Sequence, residues 1–262
     1  MEKDVFIEVG GNLEESLKGN YKINAKDVLT EAWSLSKKSR VSINLGLLFC
    51  LFLSGVLFFL VASYFGDIEA MIKDPQANFA VNILVTLLVS PFLVAIEMMG
   101  IFHAVGVKTH PKLLFAFLKQ GSLVAVSALL SSMLISIGLN LFVFPGLYLL
   151  VALSLVLPLV VEKRLTPIKA IIVSLKVTRF QWLSIFTAYT LLFVVLVFCF
   201  IPLIVLAGSS FQIIGGMFFF FAMSYLAPMF YNVKGIIYRE IFGMKLAVKG
   251  GENNEQNVVF SA

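Results

Sequence analysis

The stretch FPGLYLLVALSLVLPLVVEKRLTPIKAIIVSLKVTRFQW, residues 144–182, contains the unit that decides the fold of this chain. An apolar run leaves a Pro-Gly turn and ends at the charged triplet 162–164. The Thr-Pro pair at 166–167 then suits the N-cap and first position of a helix, and the residues after it are basic and amphipathic. A second apolar run begins at Trp182. Weaker versions of this unit lie on both sides, so we expect the chain to be built from such units.

The composition is that of a membrane protein. The 262 residues are 60% hydrophobic and 13% charged, and their mean hydropathy is +0.97. A soluble domain has roughly half its residues apolar and about a quarter charged. A helical membrane span needs about 20 apolar residues, and six runs in the chain approach or exceed that length. We therefore expect an all-α integral membrane protein with six spans, at 41–65, 79–101, 121–142, 145–161, 182–207 and 211–237.

The links between the later spans are short enough to require antiparallel hairpins. Residues 143–146 join the third span to the fourth, and residues 208–210 join the fifth to the sixth. We expect three hairpins in all, each preceded by a short cytoplasmic amphipathic helix, at 25–38, 111–119 and 167–181. An internal repeat and independent evolution of similar basic connectors both explain this pattern.

The six spans make one membrane domain over residues 24–242. Residues 1–23 are polar, and we expect them to form a loosely ordered cytoplasmic tail. Residues 243–262 include the sequence GGENNEQNVVFSA, whose polarity predicts a disordered cytoplasmic tail.

The positive charges are distributed very unevenly about the predicted spans. Of the twenty Lys and Arg residues, nineteen lie on the tails and connectors of one side, and Lys73 lies alone on the other. Because cytoplasmic loops carry the excess of Lys and Arg, we expect both termini in the cytoplasm. The net charge of +5 is then a topology signal. No basic domain interleaved with aromatic residues lies outside the spans, so we expect no nucleic-acid partner.

The fourth predicted span and the residues after it also resemble a known group of proteins. The sequence FPGLYLLVALSLVLPLVVE, followed by the pattern T-P-x-K-A-x-x-x-S-L-K, looks like the YciC-like family of bacterial inner-membrane proteins. It is more distantly similar to the membrane domain found beside some glycerophosphoryl diester phosphodiesterases. The resemblance covers residues 139–182 and implies six helices and a bacterial inner-membrane location. It implies no catalytic residues, so we do not expect phosphodiesterase activity.

Groups that could carry out catalysis or hold a metal are sparse. The sequence contains no H-E-x-x-H, no G-x-S-x-G and no phosphate-binding loop, so we expect no catalytic or cofactor-binding residues. His103 and His110 are seven residues apart, but Glu97 lies six before His103, which is not a same-face helical spacing. We therefore expect no metal site. Cys50 and Cys199 fall inside predicted spans, where they behave as small hydrophobic residues.

Glu97 is the only acid well inside a predicted span, and intramembrane carboxylates are functional candidates by default. It lies about 27 Å along the second span, at about 1.5 Å per residue, close to the cytoplasmic interface. Two interpretations stay open: an interfacial or paired carboxylate, and a group that couples protons or ions to transport. Three prolines inside spans, Pro91, Pro202 and Pro228, are either static kinks or the broken helices of a transporter.

The third predicted span carries a surface of small residues. Small residues let helix backbones approach closely, so this surface predicts a helix–helix contact. The contact lies either inside the bundle or in a homo- or hetero-oligomer. The residues are Ser127, Ser131, Ser132, Ser136 and Gly138.

The third amphipathic segment is basic enough to contact lipid headgroups. Lys169 and Lys176 share one helical face. The other face is predicted to be an apolar stripe of Ile168, Ile171, Ile172 and Leu175. Such a helix can lie in the membrane interface, where each cation near anionic lipid is worth about 1 kcal/mol. Positive-inside topology alone is the alternative explanation. The candidate contacts to anionic lipid are Lys169, Lys176, Arg179, Lys112 and Lys119.

These features favour a non-enzymatic multi-pass inner-membrane protein that acts in envelope or lipid organisation or in partner assembly. The alternative is a small-solute permease that uses Glu97 and the proline-broken helices. A membrane enzyme acting on lipid has only the family resemblance in its favour. A polar cavity near the middle of the bilayer would favour the permease, whereas Glu, His and Lys converging at the cytoplasmic face would favour the enzyme.

Overall fold

The structure, a computed structural model, describes residues 5–64, 69, 73–248 and 258–259. In chain order, the helices and strands of these residues are β1 (Val5–Val9), α1 (Leu13–Leu17), α2 (Ala25–Tyr64), α3 (Pro75–Ala104), α4 (Gly121–Leu141), α5 (Val143–Ala152), α6 (Val156–Glu162), α7 (Pro167–Thr178), α8 (Trp182–Val205), α9 (Gln212–Phe242), β2 (Met244–Val248) and β3 (Val258–Val259). Short 3-10 helices lie at Pro111–Phe115, Leu118–Gln120 and Leu153–Leu155.

The predicted all-α membrane fold is confirmed, because six helical stretches are long and apolar enough to cross a bilayer. Several of these helical stretches extend beyond the predicted spans, because the helix continues into polar sequence. In α9, for example, residues 232–238 are buried on every face and extend the helix into the protein interior. The six stretches are Ala25–Tyr64, Pro75–Ala104, Pro111–Leu141, Val143–Glu162, Trp182–Val205 and Gln212–Phe242.

The three predicted amphipathic segments take three different forms. The first, at 25–38, is the beginning of α2, which continues into the apolar run across a non-helical residue, Ser39 (φ −133°, ψ 24°). The second, at 111–119, is a pair of 3-10 helices, since no side chain caps its start and so short a segment gains little from helix propagation. The third, α7, ends at Thr178 instead of Gln181, because the chain tightens there into a turn.

Backbone contacts divide the chain into two units. The first unit comprises residues 1–44, 99–109 and 177–262. The second unit comprises residues 45–98 and 110–176. Helices α2, α3 and α7 contribute residues to both units.

In the second unit, α4 packs against α5 and α6, and the one-residue link at Phe142 makes them an antiparallel hairpin. Gly138 of α4 lies against Gly146 and Leu149 of α5. Three of the small residues that were predicted to form a contact surface are therefore buried within the protein. They are Ser127, Ser131 and Gly138. Ser132 and Ser136 remain exposed.

Side-chain contacts attach α7 to α5 in the second unit. The Ser174 hydroxyl donates to the carbonyl oxygen of Ala152, and the Tyr148 hydroxyl donates to that of Leu175 at 3.2 Å. Elsewhere in this unit three phenylalanine rings meet edge to face. Their centroids lie 5.1 to 5.9 Å apart, and the residues are Phe49, Phe92 and Phe115.

In the first unit, the end of α3 crosses α9 where two glycines meet. A Cβ atom on Gly235 would overlap the carbonyl oxygen of Gly100, and one on Gly100 would overlap the carbonyl oxygen of Tyr231. Only glycine allows two helix backbones to come this close. The other side of α9 packs along α8, to which residues 206–211 connect it.

A three-stranded antiparallel sheet joins the two ends of the described chain, in the order β1-β2-β3. In its register Val5 pairs with Val248 and Val9 pairs with Met244. Opposite charges face each other across the strands. The ammonium group of Lys245 lies 2.9 Å from the carboxylate of Glu8.

This sheet corrects the expectations for both tails. The segment 1–23, expected to be loosely ordered, contains β1 and α1, and the tail expected to be disordered at 243–262 begins with β2. Sequence reasoning missed the pairing of β1 with β2 because these two strands come from opposite ends of the chain. Residues 249–257 and 260–262 of the second tail lie outside the described residues.

The segment between β1 and α2 closes the C-terminal end of α9. The amide of Gly11 donates to the carbonyl oxygen of Arg239 at 2.8 Å, and the Ser16 hydroxyl donates to that of Ile241 at 2.6 Å. The last four carbonyl groups of a helix lack partners within the helix, and the Ser16 bond satisfies one of them. The Gly11 bond gives the Arg239 carbonyl a second donor beside the amide of Gly243. Farther along the segment, the Tyr21 hydroxyl donates to a carbonyl oxygen in the last turn of α7 at 2.8 Å.

Replacing Gly235 by alanine should destabilise the protein, because the new methyl group overlaps the Gly100 carbonyl and forces α3 and α9 apart. We expect a loss of about 1–3 kcal/mol, which is typical of overpacking. Gly216→Ala on the same helix is the matched control, since its added Cβ has no atom within 4 Å. The control should be neutral or stabilising by up to about 1 kcal/mol. Thermal unfolding in detergent measures both, and equal melting temperatures would contradict the close crossing.

Candidate functional site

Five polar side chains form a largely buried chain of hydrogen bonds in the first unit. They are Ser36 and Ser42 on α2, His103 at the end of α3, Thr109 in the following loop and Asn232 on α9. The amide nitrogen of Asn232 lies 3.0 Å from the Ser36 hydroxyl, and its oxygen lies 3.0 Å from Nδ1 of His103. Nε2 of His103 lies 2.7 Å from the Thr109 hydroxyl, which lies 2.7 Å from that of Ser42.

Helical spacing and one turn bring these side chains together. Ser36 follows Val28 and Ala32 at four-residue intervals, and all three are buried on one face of α2. His103 lies in the last turn of α3. The chain then reverses through Gly106, whose φ of +82° suits glycine, and returns Thr109 to the imidazole.

The hydrogen-bond partners assign the protons along this chain. The Ser36 hydroxyl donates to the carbonyl oxygen of Ala32 at 2.8 Å, so it accepts from the Asn232 amide. The Asn232 oxygen therefore faces His103, and Nδ1 of His103 carries a proton. Nε2 of the neutral ring then accepts from Thr109, which in turn accepts from Ser42. A neutral histidine thus satisfies the chain without a buried charge.

Arg239 is a second polar centre in the first unit. Its Nη1 and Nη2 donate to the two carboxylate oxygens of Glu31 at 2.6 and 3.0 Å. Nη1 also donates to the carbonyl oxygen of Ala104 at 2.6 Å. Nε and Nη2 donate to Glu240 at 3.0 and 2.6 Å. A guanidinium has five N–H donors, so all five are used, and this side chain joins α2 and the end of α3 to α9.

A cleft of about 360 Å³ lies beside Arg239. Its carboxylates Glu31 and Glu240 already accept from Arg239, so Lys22 and Asp27 are its charged groups outside that cluster. The cleft can hold water or a small polar molecule. The residues that line it are Lys22, Ile23, Asn24, Asp27, Val28, Glu31, Ile236, Arg239 and Glu240. The hypothesis of a membrane enzyme requires Glu, His and Lys side chains in one place. Glu and Lys side chains line this cleft, but no histidine is among its lining residues.

No cluster of three or more His, Cys, Asp or Glu side chains suited to a metal ion occurs among the described residues. His103 is part of the hydrogen-bonded chain, and His110 is exposed before the 3-10 helix at Pro111–Phe115. Cys50 is buried in α2 and Cys199 is half-buried in α8, and both are free thiols.

Glu97 lies on α3 in the second unit, with 8% of its surface exposed. The sequence leaves open the interpretation that Glu97 is an interfacial carboxylate in contact with water. A side chain that is this deeply buried does not fit that interpretation. Glu97 has at least one interaction with another group of the protein. The helices that contain Pro91, Pro202 and Pro228 each continue through their proline, as expected for static kinks.

The cations predicted to contact lipid are all exposed, and they are Lys169, Lys176, Arg179, Lys112 and Lys119. The exposed face of α7 also carries Ile168 and Ile172, which are 66% and 44% exposed. The predicted apolar stripe is therefore corrected, since Ile171 is buried while Ile168 and Ile172 share a face with the lysines. Small buried residues on the opposite face, Ala170 and Ser174, make the internal contact instead.

Sequence reasoning singled out His103 only as a metal candidate and missed the residues that surround it. Ser36 follows the predicted apolar face of α2, and a polar residue on such a face is a signal that could have been used. Asn232 carries a similar signal, since it lies between apolar neighbours in a predicted span. Arg239 and Glu31 offered no local signal, because their pairing depends on the tertiary fold.

Comparisons with family models, with curated proteins and with solved structures found no match for this chain. The resemblance of residues 139–182 to the YciC-like proteins stays a prediction.

Asn232→Leu should destabilise the protein, because it leaves the Nδ1 proton of His103 and the Ser36 hydroxyl oxygen without their buried partner. We expect a loss of about 2 kcal/mol or more in the free energy of unfolding. Asn82→Leu is the control, since Asn82 is exposed and its side-chain amide donates to Asn78 one turn away. Its effect should stay within about 0.5 kcal/mol. Denaturant titration in detergent compares the two, and equal losses would contradict the buried chain.

Proposed function

We propose that this chain is a non-enzymatic protein of the bacterial inner membrane that organises anionic lipid, or assembles partners, at the cytoplasmic surface. Six membrane-crossing helices provide its frame. The placement of nineteen of the twenty Lys and Arg residues supports cytoplasmic termini. The resemblance to YciC-like proteins supports the bacterial inner membrane.

The observation that carries the proposal is the exposed face of α7. Ile168 and Ile172 lie on this face together with Lys169 and Lys176. A helix with such a face can lie in the membrane interface, with its isoleucines among acyl chains and its lysines at headgroups. Positive-inside topology alone accounts for the lysines, but it does not account for exposed isoleucines among them. The face therefore favours lipid contact over a topology signal alone.

The second candidate function, a small-solute permease, is favoured by the buried carboxylate of Glu97. Two features weigh against it. The permease hypothesis requires helices that are broken at proline, and the helices that contain Pro91, Pro202 and Pro228 are continuous. The cleft beside Arg239 is lined by residues 22–31 and 236–240, and none of its lining residues comes from α3.

The double variant Lys169→Gln/Lys176→Gln should lose much of its preference for anionic lipid. Each lysine at a headgroup contributes about 1 kcal/mol, so the affinity for phosphatidylglycerol relative to phosphatidylcholine should fall up to about 30-fold. The measurement is the number of each lipid retained by the purified protein in native mass spectrometry after extraction from mixed nanodiscs.

The matched control for this experiment is Lys22→Gln/Lys26→Gln, which removes the same charge from two exposed lysines outside α7. This control should keep the preference of the parent protein. An equal fall in both double variants would mean that only net charge matters, and the lipid function of α7 would be refuted.

A further inference from the structure

Two cations and two aromatic rings form a cluster in the first unit. Its members are Trp33, Lys37 and Arg40 on α2 and Tyr225 on α9, and we refer to them as the aromatic–cation cluster. The guanidinium of Arg40 lies 3.9 Å from the centroid of the Tyr225 ring. The ammonium group of Lys37 lies 4.9 Å from the centroid of the Trp33 ring. The two rings lie 5.8 Å apart.

Hydrogen bonds hold α2 against α9 on both sides of this cluster. One turn before Arg40, Ser36 accepts from the Asn232 amide. One turn after it, the Asn44 amide donates to the carbonyl oxygen of Ser224 at 2.9 Å. Arg40 directly follows Ser39, the non-helical residue of α2, and it lies in the chain between these two anchored contacts. The fold therefore fixes the position of the cluster.

The two cations of the cluster have aromatic neighbours, whereas three other cations of the first unit have acidic partners. Elsewhere in the first unit, carboxylates pair with Lys18, Arg239 and Lys245. Among the ion pairs of the described residues, none involves Lys37 or Arg40. A guanidinium stacked on a ring keeps its N–H edge available for a bidentate acceptor, such as a phosphate. The cluster thus offers positive charge with defined geometry and no internal counter-charge.

The cluster also lies near one end of the exposed apolar surface of α9. Beyond Tyr225, Phe230 is still 41% exposed, and residues 232–238 are then buried. On α2, Val41 follows Arg40 directly and is 65% exposed. Trp and Tyr concentrate at the bilayer interface, and Lys and Arg there reach the headgroups. The exposed apolar residues of α9 before Tyr225 include Phe211, Ile213, Ile214, Met217, Phe220 and Phe221.

We propose that the aromatic–cation cluster binds the phosphate of an anionic phospholipid headgroup. Arg40 donates two hydrogen bonds to phosphate oxygens, and Lys37 supplies a second positive charge. Trp33 and Tyr225 lie at the level of the interface, and the acyl chains run along the exposed apolar residues of α9. An acidic protein segment would match the charge but would leave those apolar residues uncovered. The site deepens the proposed function and rests on it, because it is a second contact with anionic lipid.

Trp33 can report on its own lipid neighbours, because the chain has only one other tryptophan, Trp182. In a Trp182→Phe background the protein is reconstituted in vesicles that contain phosphatidylcholine and phosphatidylglycerol. Bromine atoms on the acyl chains of one lipid or the other quench nearby tryptophan fluorescence. We expect brominated phosphatidylglycerol to quench Trp33 more strongly than an equal amount of brominated phosphatidylcholine.

Variants of the cluster should remove this preference. Arg40→Gln should reduce it about fivefold, the share of one cation at a headgroup. Arg40→Lys should reduce it less, because lysine keeps the charge but loses the bidentate geometry. Lys38→Gln is the matched control, since it removes a neighbouring exposed charge outside the cluster and should keep the preference. Melting temperatures check that each variant is folded.

Three outcomes would overturn the site. They are equal quenching by the two lipids in the Trp182→Phe parent, equal losses for Arg40→Gln and Lys38→Gln, and an unchanged preference in Arg40→Gln. If quenching shows no preference while the α7 double variant still loses anionic lipid, this site fails and the proposed function stands. If Trp33 keeps its preference in the α7 double variant, the cluster binds lipid independently of α7.

Discussion

The guanidinium of Arg239 is the group on which the arrangement of the first unit depends. It uses all five N–H donors, on Glu31 of α2, on the Ala104 carbonyl that ends α3, and on Glu240. The backbone of the same residue accepts from the amides of Gly11 and Gly243 at 2.8 and 3.0 Å. One residue thus joins two helices through its side chain and the N-terminal segment through its carbonyl. Its side chain is 16% exposed, so these bonds are less weakened by water than those of a surface ion pair.

The other polar features of this unit follow from that constraint. Arg239 donates a hydrogen bond to the carbonyl oxygen of Ala104. His103, which precedes Ala104 in the chain, belongs to the buried chain of hydrogen bonds with Asn232. The end of α3 is therefore held by the guanidinium of Arg239 at Ala104 and by hydrogen bonds between neutral side chains at His103. The glycine crossing of α3 and α9 brings the backbones close enough for both sets of bonds. Many large apolar side chains elsewhere in the described chain are exposed, as expected when lipid is the solvent.

The sequence was sufficient to predict the six spans because the bilayer imposes a length and an apolar composition on every span. It also predicted an amphipathic segment at 25–38, on which Val28 and Ala32 are buried. It could not predict the sheet, because β1 and β2 are marginal alone and meet only when the ends of the chain meet. The count of cations predicts a topology but treats all of them alike. The structure separates them, with Arg239 in an ion-pair cluster, Arg40 on an aromatic ring and Lys169 exposed among isoleucines.

The most direct test of the role of Arg239 is hydrogen–deuterium exchange of Arg239→Lys, compared with the parent protein and with Lys245→Gln. Lysine keeps the charge but cannot hold two carboxylates and a carbonyl in one plane. The account predicts that peptides covering 25–38 and 99–109 lose protection together, whereas Lys245→Gln, which breaks an exposed ion pair, leaves both unchanged. Loss of protection confined to residues 236–242, or equal to that of Lys245→Gln, would contradict it.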